Sequence, residues 1–177
     1  GTVRVEAYPA YSNPACNKLR HLQPDVSRPA RFVLDVHLGK LASHLRMLGF
    51  DTSYRNDYDD PELAHISATE NRVLLTCDRR LLFRSEVRSG YFVRNRLPDK
   101  QIEEVMQRFR LHDQVKPFTR CIVCNGHIVA VDKESISHRL LPATREHYDD
   151  FYMCTDCRQI FWEGSHLPAL KKQIKRM

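Results

Sequence analysis

The fold is decided by residues 31–54, RFVLDVHLGKLASHLRMLGFDTSY. The stretch opens with a short apolar run at residues 32–34, typical of a buried strand, and the run ends at Asp35. Apolar residues then recur at helical spacing until Gly49 supplies a helix stop. These residues are Leu38, Leu41, Ala42, Leu45 and Leu48. A second strand is predicted at residues 50–54, and the strand–helix–strand order indicates a βαβ unit of a parallel sheet.

The same alternation continues along the next part of the chain. Residues 59–62, Asp-Asp-Pro-Glu, combine an N-cap, an early proline and acidic first-turn residues, so they predict the start of a second helix. Strands are predicted at residues 73–76 and 91–93, with a short helix around Leu81 between them. A last amphipathic helix has an apolar face made of Ile102, Val105, Met106 and Phe109. The pattern predicts the α/β class, with a parallel sheet flanked by helices over residues 31–117.

The segments on either side of this domain have a different character. Residues 1–30 carry four prolines and little periodic pattern, so we predict an extended lead-in segment. Residues 118–166 hold short β-prone pieces between cysteine pairs, which indicates a small β-rich domain. Residues 167–177 form a basic tail.

Composition and charge limit the class of protein. The chain has 177 residues, 42% of them hydrophobic and 28% charged, which excludes disorder as its general state. No apolar stretch approaches the roughly 20 residues of a membrane-spanning helix, so we expect no membrane association. Lysine and arginine number 28 against 22 aspartates and glutamates, and the resulting charge of +6 favours a polyanionic partner.

Four of the six cysteines form two Cys-x-x-Cys pairs, Cys121 with Cys124 and Cys154 with Cys157. Two such pairs, each on a tight turn, bring four thiolates into the tetrahedral arrangement that zinc prefers. A redox-active pair or a disulfide framework does not explain the duplication. We therefore predict a structural zinc site in a zinc ribbon, and a reducing, cytoplasmic compartment in which the thiols stay free.

Acidic residues follow three of the predicted strands. Asp35 ends the first strand, and Asp78 follows the third. Asp59 and Asp60 lie in the loop after the second. Because the carboxyl ends of parallel strands meet at one edge of a sheet, we expect these carboxylates to converge there. Such a cluster repels itself unless a cation fills it, and its hard oxygen ligands suit Mg²⁺ or Mn²⁺. Replacing Asp35 or Asp78 by asparagine is therefore expected to leave the stability of the metal-free protein unchanged or to raise it.

Two of these aspartates also have structural explanations that need no catalysis. Asp59 with Glu62 matches a capping box at the start of the second helix. Asp78 can form a surface ion pair with a neighbouring arginine, Arg79 or Arg80. Asp35 is harder to explain in this way, because an unpaired carboxylate at the end of a buried strand is costly.

Several motifs follow one another in a specific order. In the α/β part they are FVLD at 32–35, LGKLA at 38–42, LRMLGFD at 45–51, DD at 59–60 and LLTCDR at 74–79. In the cysteine-rich part they are CIVCNG at 121–126 and YDDFYMC at 148–154. In this combination they resemble the Mut-seven C-terminal RNase domain family, in which a PIN-like nuclease domain is fused to a zinc ribbon. The resemblance implies a PIN-like fold for the α/β domain.

The resemblance also implies the residues of the active site. The acidic metal ligands of the family fall on Asp35, Asp60 and Asp78, with Asp59 as a helper. Relatives can carry a further acidic residue two positions after the one that matches Asp78, where this chain has Arg80. Arg80 therefore argues against a second metal site of the usual kind, and a one-metal site or a site completed by a phosphate of the substrate is compatible with the resemblance.

The start of the chain fits the same family. In bacterial members a ubiquitin-like domain can precede the nuclease, and residues 3–9 resemble the last strand of such a domain. The strand of the lead-in segment is therefore either an added edge strand or the remnant of an upstream domain, and the resemblance favours the remnant of a ubiquitin-like domain.

We expect a metal-dependent ribonuclease that hydrolyses RNA phosphodiester bonds through the acidic Mg²⁺ or Mn²⁺ site. The candidate substrate-binding residues near the same edge are Arg79, Arg80, Arg94 and Arg96. The zinc ribbon is expected to be structural and to extend the RNA-binding surface. Two alternatives stay open: a non-catalytic RNA-binding or ribosome-associated adaptor with the same fold, and a nuclease that acts on DNA.

Overall fold

The computed structural model describes residues 26–162 and residue 164. The first part of this chain forms a parallel sheet. The strands of this sheet are β1 (Arg31–Leu34), β2 (Asp51–Ser53), β3 (Val73–Thr76) and β4 (Gly90–Phe92). They lie in the order β2-β1-β3-β4, and each pairs in parallel with its neighbour. The predicted α/β class with a parallel sheet is confirmed.

Three helices connect and cover the strands. They are α1 (Gly39–Met47), α2 (Asp60–Thr69) and α3 (Pro98–Phe109). Gly49 follows α1 with a φ of 93°, and a side chain there would overlap the carbonyl oxygen of Lys116, so the position requires glycine. The helix predicted around Leu81 is a single 3₁₀ turn, Leu81–Phe83, because Arg84 already adopts an extended backbone.

The central strands β1 and β3 are buried on both faces of the sheet, which explains their apolar sequences. One face holds the larger core, in which Phe32 and Leu34 pack with residues of α1 and α3. The other face holds a smaller core, in which Val33 and Leu74 pack with Leu63 of α2. Because successive side chains of a strand point to opposite faces, β1 supplies both cores.

All four parallel strands end at one edge of the sheet, here called the carboxyl edge. It comprises the loops that leave the strands, at residues 35–38, 54–60, 77–80 and 93–97. The strands β1 and β3 are central, so their loops are neighbours in the middle of this edge. The carboxyl edge therefore carries all four of the predicted aspartates.

An antiparallel sheet follows, here called the ribbon sheet. Its strands are β5 (Ile128–Val131), β6 (Phe151–Cys154) and β7 (Ile160–Trp162), in that order. Two short helices, α4 (Lys133–Ile136) and α5 (Pro142–His147), lie between β5 and β6. A small core contains Ile136, Phe151 and Ile160. The β-rich character predicted for this part of the chain is confirmed, and the two helices are an addition that the cysteine spacing did not indicate.

Some predicted features lie outside the described residues. These are the lead-in strand with its resemblance to a ubiquitin-like domain, at residues 3–9, and the basic tail at residues 167–177. Within the part of the chain that the structure describes, no helix has the length and apolar character to span a membrane.

Candidate active site and metal centre

Asp35, directly after β1, is a buried and firmly held carboxylate whose side chain is 6% exposed. Its Oδ2 accepts hydrogen bonds from Thr76 Oγ1 at 2.5 Å and from Cys77 N at 2.7 Å. Its Oδ1 accepts one from His37 N at 2.8 Å, and the exposed imidazole Nδ1 of His37 is 3.6 Å away. Thr76 ends the neighbouring strand, so the pairing of β1 with β3 sets the orientation of this carboxylate.

Asp78 is connected to Asp35 through one threonine. Thr76 Oγ1 donates to Asp35 Oδ2 and accepts a hydrogen bond from Asp78 N at 2.8 Å. The carboxylate of Asp78 is exposed, and its Oδ1 accepts a hydrogen bond from Arg80 N at 2.8 Å. The role of Thr76 was not predicted, although a hydroxyl at the end of a buried strand, two residues before an aspartate, is a usable signal for such a bridge.

The two aspartates before α2 have different positions. Asp59 is the N-cap of α2, and its Oδ1 accepts a hydrogen bond from Glu62 N at 2.8 Å, as the structural explanation predicts. Asp60 is the first residue of α2 and is exposed at the carboxyl edge. Because the cap engages Asp59, Asp60 is the more suitable metal ligand of the two.

The carboxyl edge carries the aspartates but does not gather them into a preformed metal cluster. Among residues 26–162 and 164, one set of three or more Asp, Glu, His or Cys side chains has its ligand atoms close enough together to bind one ion. That set is the four cysteines. The chemistry of the donors nevertheless fits a hard cation. A carboxylate offers about four acceptor positions, and the three hydrogen bonds to Asp35 leave room at Oδ1 for one further ligand bond.

The four predicted substrate-binding arginines all lie after β3 or β4 at the carboxyl edge, and all are exposed. The guanidinium carbon of Arg79 is 4.9 Å from the centre of the Phe92 ring, which holds that side chain against the end of β4. Arg80 contacts the site through its backbone N–H to Asp78. Arg94 and Arg96 lie in the loop after β4.

Glu104 of α3 holds the loop after β4 in place, a role that no sequence pattern indicates. Its Oε1 accepts hydrogen bonds from Tyr91 Oη at 2.8 Å and from Arg94 N at 3.0 Å. Its Oε2 accepts hydrogen bonds from Asn95 N at 3.0 Å and Asn95 Nδ2 at 2.6 Å. Burial acts to raise the pKa of Glu104, but these hydrogen bonds outweigh it and lower the pKa. The loop that carries Arg94 is therefore fixed by an ionised carboxylate.

Two turns of the same geometry hold the four cysteines. In the first, Asn125 N donates a hydrogen bond to Cys121 O at 2.9 Å. In the second, Arg158 N donates one to Cys154 O at 3.2 Å. Asn125 and Arg158 both adopt left-handed backbones, with φ of 70° and 62°. The two Cys-x-x-Cys pairs therefore form two copies of one turn, here called the first and the second knuckle.

The four sulfur atoms lie within 4.8 Å of one another. Cys121 Sγ is 3.6 Å from Cys157 Sγ, and Cys124 Sγ is 3.4 Å from Cys154 Sγ. Zinc–sulfur bonds of about 2.3 Å in a tetrahedron separate the sulfurs by about 3.8 Å, so the cluster fits one zinc ion. The predicted four-cysteine cluster is therefore present, and it is compatible with zinc.

The two buried cysteines of the cluster differ in acidity. Burial raises the pKa of Cys121 to about 12. Burial acts in the same direction on Cys154, but hydrogen bonds from the backbone N–H groups of Cys157 and Asp156 outweigh it and lower the pKa to about 7. A bound zinc ion would favour the thiolate form of all four ligands.

The first knuckle packs against β2, which is an edge strand of the parallel sheet. The buried Arg46 of α1 donates hydrogen bonds to the carbonyl oxygens of Ile122 and Val123 at 3.1 and 3.0 Å, and to that of Thr52 at 2.9 Å. Thr52 N in turn donates to Asn125 Oδ1 at 2.9 Å. The knuckle thus covers a strand edge that would otherwise be open for pairing. Arg46 flanks the apolar stripe of α1, and its burial was not predicted from the sequence.

Asp51 completes the contact between the two parts. Its carboxylate pairs with Arg72 Nη1 at 2.7 Å and accepts a hydrogen bond from Asn125 Nδ2 at 2.8 Å. Arg31 Nε lies 3.2 Å away and Arg120 Nη2 lies 3.7 Å away. Burial acts to raise the pKa of Asp51, but the hydrogen bonds from Arg72 and Asn125 and the charges of Arg72 and Arg120 lower it to about 2. Asp51 is therefore an ionised carboxylate that contacts both the parallel sheet and the first knuckle.

The lowered pKa of Asp51 predicts how the stability of the protein changes in acid. Because the pKa of Asp51 is lower in the folded protein than in the unfolded chain, the unfolded chain binds its proton first as the pH falls. The stabilisation, about 2 kcal/mol, is present above about pH 4 and is lost towards pH 2. Urea unfolding of the parent and of Asp51→Asn across this range should show their difference in stability shrinking as the pH falls; a constant difference would contradict the assigned role.

One family model matches the chain. The model of the Mut7-C RNAse domain matches residues 30–174, which include the whole parallel sheet and all four cysteines of the cluster. No curated protein and no solved structure gives a significant match. The resemblance drawn from the sequence motifs is confirmed: the chain belongs to the Mut7-C RNAse domain family.

Proposed function

We propose that the protein is a metal-dependent ribonuclease that hydrolyses phosphodiester bonds of RNA at the carboxyl edge. The observation that carries this proposal is the buried carboxylate of Asp35, which the pairing of β1 with β3 positions and which Thr76 connects to Asp78. Asp35, Asp60 and Asp78 would hold Mg²⁺ or Mn²⁺, and Asp59 would support them as the cap of α2. The description of the family as an RNase domain supports RNA as the substrate.

Each group at the edge has a distinct part in this proposal. When bound, the divalent cation would neutralise charge on the scissile phosphate and lower the pKa of the attacking water. Thr76 Oγ1 and Cys77 N keep Asp35 in one orientation before the substrate arrives. Arg79 and the arginines of the loop after β4 would bind neighbouring phosphates. The zinc ribbon would be structural, and we also propose a reducing, cytoplasmic setting because its thiol ligands must stay reduced.

A second candidate is a non-catalytic RNA-binding or ribosome-associated adaptor, and one observation favours it. Both oxygens of Asp35 already accept hydrogen bonds from protein groups, so this buried carboxylate is stabilised without a cation. An adaptor would keep the basic charge and the salt-sensitive RNA binding, but it would not cleave.

A cleavage assay separates the two candidates. Protein with its zinc retained is incubated with single-stranded RNA, structured RNA or matched DNA, with Mg²⁺, with Mn²⁺ or with neither ion. The nuclease predicts cleavage of RNA that needs the added ion, whereas the adaptor predicts salt-sensitive binding with no cleavage in any arm. Preferential cleavage of DNA would reassign the substrate. Zinc content is measured in every arm, so that loss of the ribbon cannot be mistaken for loss of the catalytic ion.

Asp59→Asn is expected to have a small effect. Asparagine also caps helices well, so its side-chain oxygen can still accept the hydrogen bond from Glu62 N. We expect a change in stability of a few tenths of a kcal/mol, about the difference between good capping residues, and cleavage within a fewfold of the parent. Thermal unfolding and initial rates of cleavage measure both. A loss of cleavage of about 10²-fold or more would show that Asp59 is itself a ligand.

A further inference from the structure

The turn that follows Asp35 is held by a side chain from the end of the neighbouring strand. Tyr54 comes directly after β2, and its Oη donates a hydrogen bond to the carbonyl oxygen of Val36 at 3.0 Å. Val36 begins a 3₁₀ turn, and Asp35 is the N-cap of this turn. The same turn contains His37, whose backbone N–H donates to Asp35 Oδ1 at 2.8 Å. Tyr54 therefore holds the segment of backbone that orients one oxygen of the buried carboxylate.

Gly39, the first residue of α1, makes room for this hydroxyl group. Its φ of −58° is ordinary for a helix, so the backbone at this position does not require glycine. A side-chain carbon at position 39 would lie 2.6 Å from Tyr54 Oη, which is closer than van der Waals contact allows. The lack of a side chain at Gly39 is therefore what lets the tyrosine reach the turn after Asp35.

The backbone of Tyr54 is connected to the first knuckle through Arg46. Arg46 Nη2 donates a hydrogen bond to the carbonyl oxygen of Tyr54 at 3.4 Å, while its Nη1 donates to two carbonyl oxygens of the first knuckle. The knuckle also holds β2 directly, since Thr52 N donates to Asn125 Oδ1. A continuous set of hydrogen bonds therefore runs from the first knuckle, along β2, to the turn after Asp35.

We propose that Tyr54 is a positioning residue that couples the zinc-bound state of the ribbon to the orientation of Asp35. The catalytic part of this inference rests on the proposed function. While zinc keeps the first knuckle closed, Arg46 fixes the end of β2 and Tyr54 holds the turn. When the knuckle opens, the end of β2 loses these contacts and the turn is released. The predicted substrate-binding arginines lie in the loops after β3 and β4, on the other side of β1 from Tyr54, so the coupling acts on the carboxylate and not on the binding of RNA.

Amide hydrogen exchange measures the state of the turn independently of cleavage. It is followed by NMR spectroscopy on the zinc-loaded protein without added Mg²⁺ or Mn²⁺. The reporter is the amide of His37, and the reference is the amide of Asp35, which donates to Leu75 O within the sheet at 3.1 Å. Tyr54→Phe keeps the ring and removes the hydroxyl, so exchange at His37 should become about fivefold faster relative to Asp35. A general loss of stability would accelerate both amides equally.

Cys121→Ser tests the connection to zinc. Opening the first knuckle should raise the ratio of the two exchange rates by a factor similar to that of Tyr54→Phe. The double variant should show no further rise, because both changes break the same set of hydrogen bonds. Tyr152→Phe is the matched control, since it removes the same hydroxyl from β6 of the ribbon sheet, and it should leave the ratio unchanged.

Gly39→Ala is a second way to displace the hydroxyl group. The added methyl group would overlap Tyr54 Oη, so the ratio of exchange rates should rise as it does in Tyr54→Phe. In the Tyr54→Phe background this oxygen is absent, and Gly39→Ala should then change the ratio by less than about twofold. An equal effect of Gly39→Ala in both backgrounds would contradict the contact between the two residues.

The cleavage assay provides a second readout. Tyr54→Phe should lower kcat about tenfold and leave KM within about twofold of the parent, because the turn orients a metal ligand and carries none of the predicted RNA-binding arginines. A purely structural role would instead lower the amount of folded enzyme and leave the kcat of the folded fraction unchanged.

Three results would overturn the inference: an unchanged ratio of exchange rates in Tyr54→Phe, an equal acceleration of both amides, or additive effects of Tyr54→Phe and Cys121→Ser. If the parent cuts RNA while Tyr54→Phe exchanges and cuts normally, the inference fails and the proposed function stands. If the parent cuts no RNA but the exchange ratios change as expected, the proposed catalysis fails and the coupling of the ribbon to the turn stands.

Discussion

Asp78→Asn is expected to lower the rate of RNA cleavage by about 10²- to 10³-fold while leaving the melting temperature unchanged. The side chain is exposed, and its Oδ1 accepts a hydrogen bond from Arg80 N that asparagine can also accept. The turn after β3 should therefore keep its structure. The substitution removes a negative charge that a divalent cation needs at the carboxyl edge. Single-turnover cleavage and thermal unfolding of the same preparation separate the two effects.

Asp57→Asn is the matched control for this prediction. Asp57 is exposed in the loop after β2 and pairs with Arg55 at 2.6 Å, so its replacement makes the same change of charge on the same edge of the sheet. Cleavage should stay close to that of the parent, because an exposed ion pair contributes little. Equal losses in both variants would point to general electrostatics, and full activity in Asp78→Asn would remove Asp78 from the set of ligands.

Asp35→Asn should lose cleavage and also stability. The carboxylate accepts hydrogen bonds from backbone N–H groups on both of its oxygens, from His37 at Oδ1 and from Cys77 at Oδ2. An asparagine in this place must point its NH₂ group at one of these donors, whichever way the amide is turned. We expect a loss of about 1–3 kcal/mol from the unpaired buried group. For Asp35 the hydrogen bonds of the folded protein therefore lead to a different expectation from charge repulsion alone, which predicts that stability is unchanged or raised.

The parallel sheet was predictable because its signals are local. The apolar run of β1, the helical spacing of α1 and the glycine at position 49 each act within a few residues. The ribbon helices α4 and α5 were not predicted, since the cysteine spacing that identified the ribbon says nothing about the segment between β5 and β6. The segment Leu81–Phe83 was predicted as a short helix but is a single 3₁₀ turn, because two adjacent buried leucines fit both structures.

The candidate site was predictable only in part, for a related reason. The end of a strand is visible in the sequence, so Asp35 and Asp78 could be assigned to one edge. Thr76, Glu104 and Arg46 act across the fold, on partners that become neighbours only when strands and helices pack. For this reason the sequence indicates which charged residues lie at the carboxyl edge but not which hydrogen bonds hold their side chains.

Cys154→Ser is expected to abolish zinc binding and to unfold the ribbon sheet. Zinc binding contributes about 10–16 kcal/mol to the folding of small zinc domains, and the buried core of the ribbon is formed by only Ile136, Phe151 and Ile160 among the described residues. Trp162 is the single tryptophan of the chain, and its ring lies 6.4 Å from that of Phe151. Its emission should therefore shift to the red when the ribbon unfolds, and zinc should fall from about one ion per chain to nearly none.

Cys77→Ser is the control for the removal of a thiol. Cys77 follows β3 at the carboxyl edge and is not part of the cluster of four, so its replacement should leave the zinc content and the emission of Trp162 unchanged. A parent protein without zinc, or with Cys121 and Cys124 joined in a disulfide, would contradict the assignment and would favour a redox role for these pairs.

The loss of zinc should also weaken the parallel sheet, because Arg46 connects the two parts. Its buried guanidinium donates to the carbonyl oxygens of Ile122 and Val123, and these acceptors move away when the first knuckle opens. A cycle of Arg46→Met, Cys121→Ser and the double variant measures this connection, with the unfolding of α1 to α3 followed by helical circular dichroism. We expect Arg46→Met to lower the free energy of unfolding by at least about 1 kcal/mol more in the zinc-loaded protein than in the Cys121→Ser background. Additive effects would mean that the sheet and the ribbon are stable independently, and that the contacts of Arg46 with the knuckle contribute little to either.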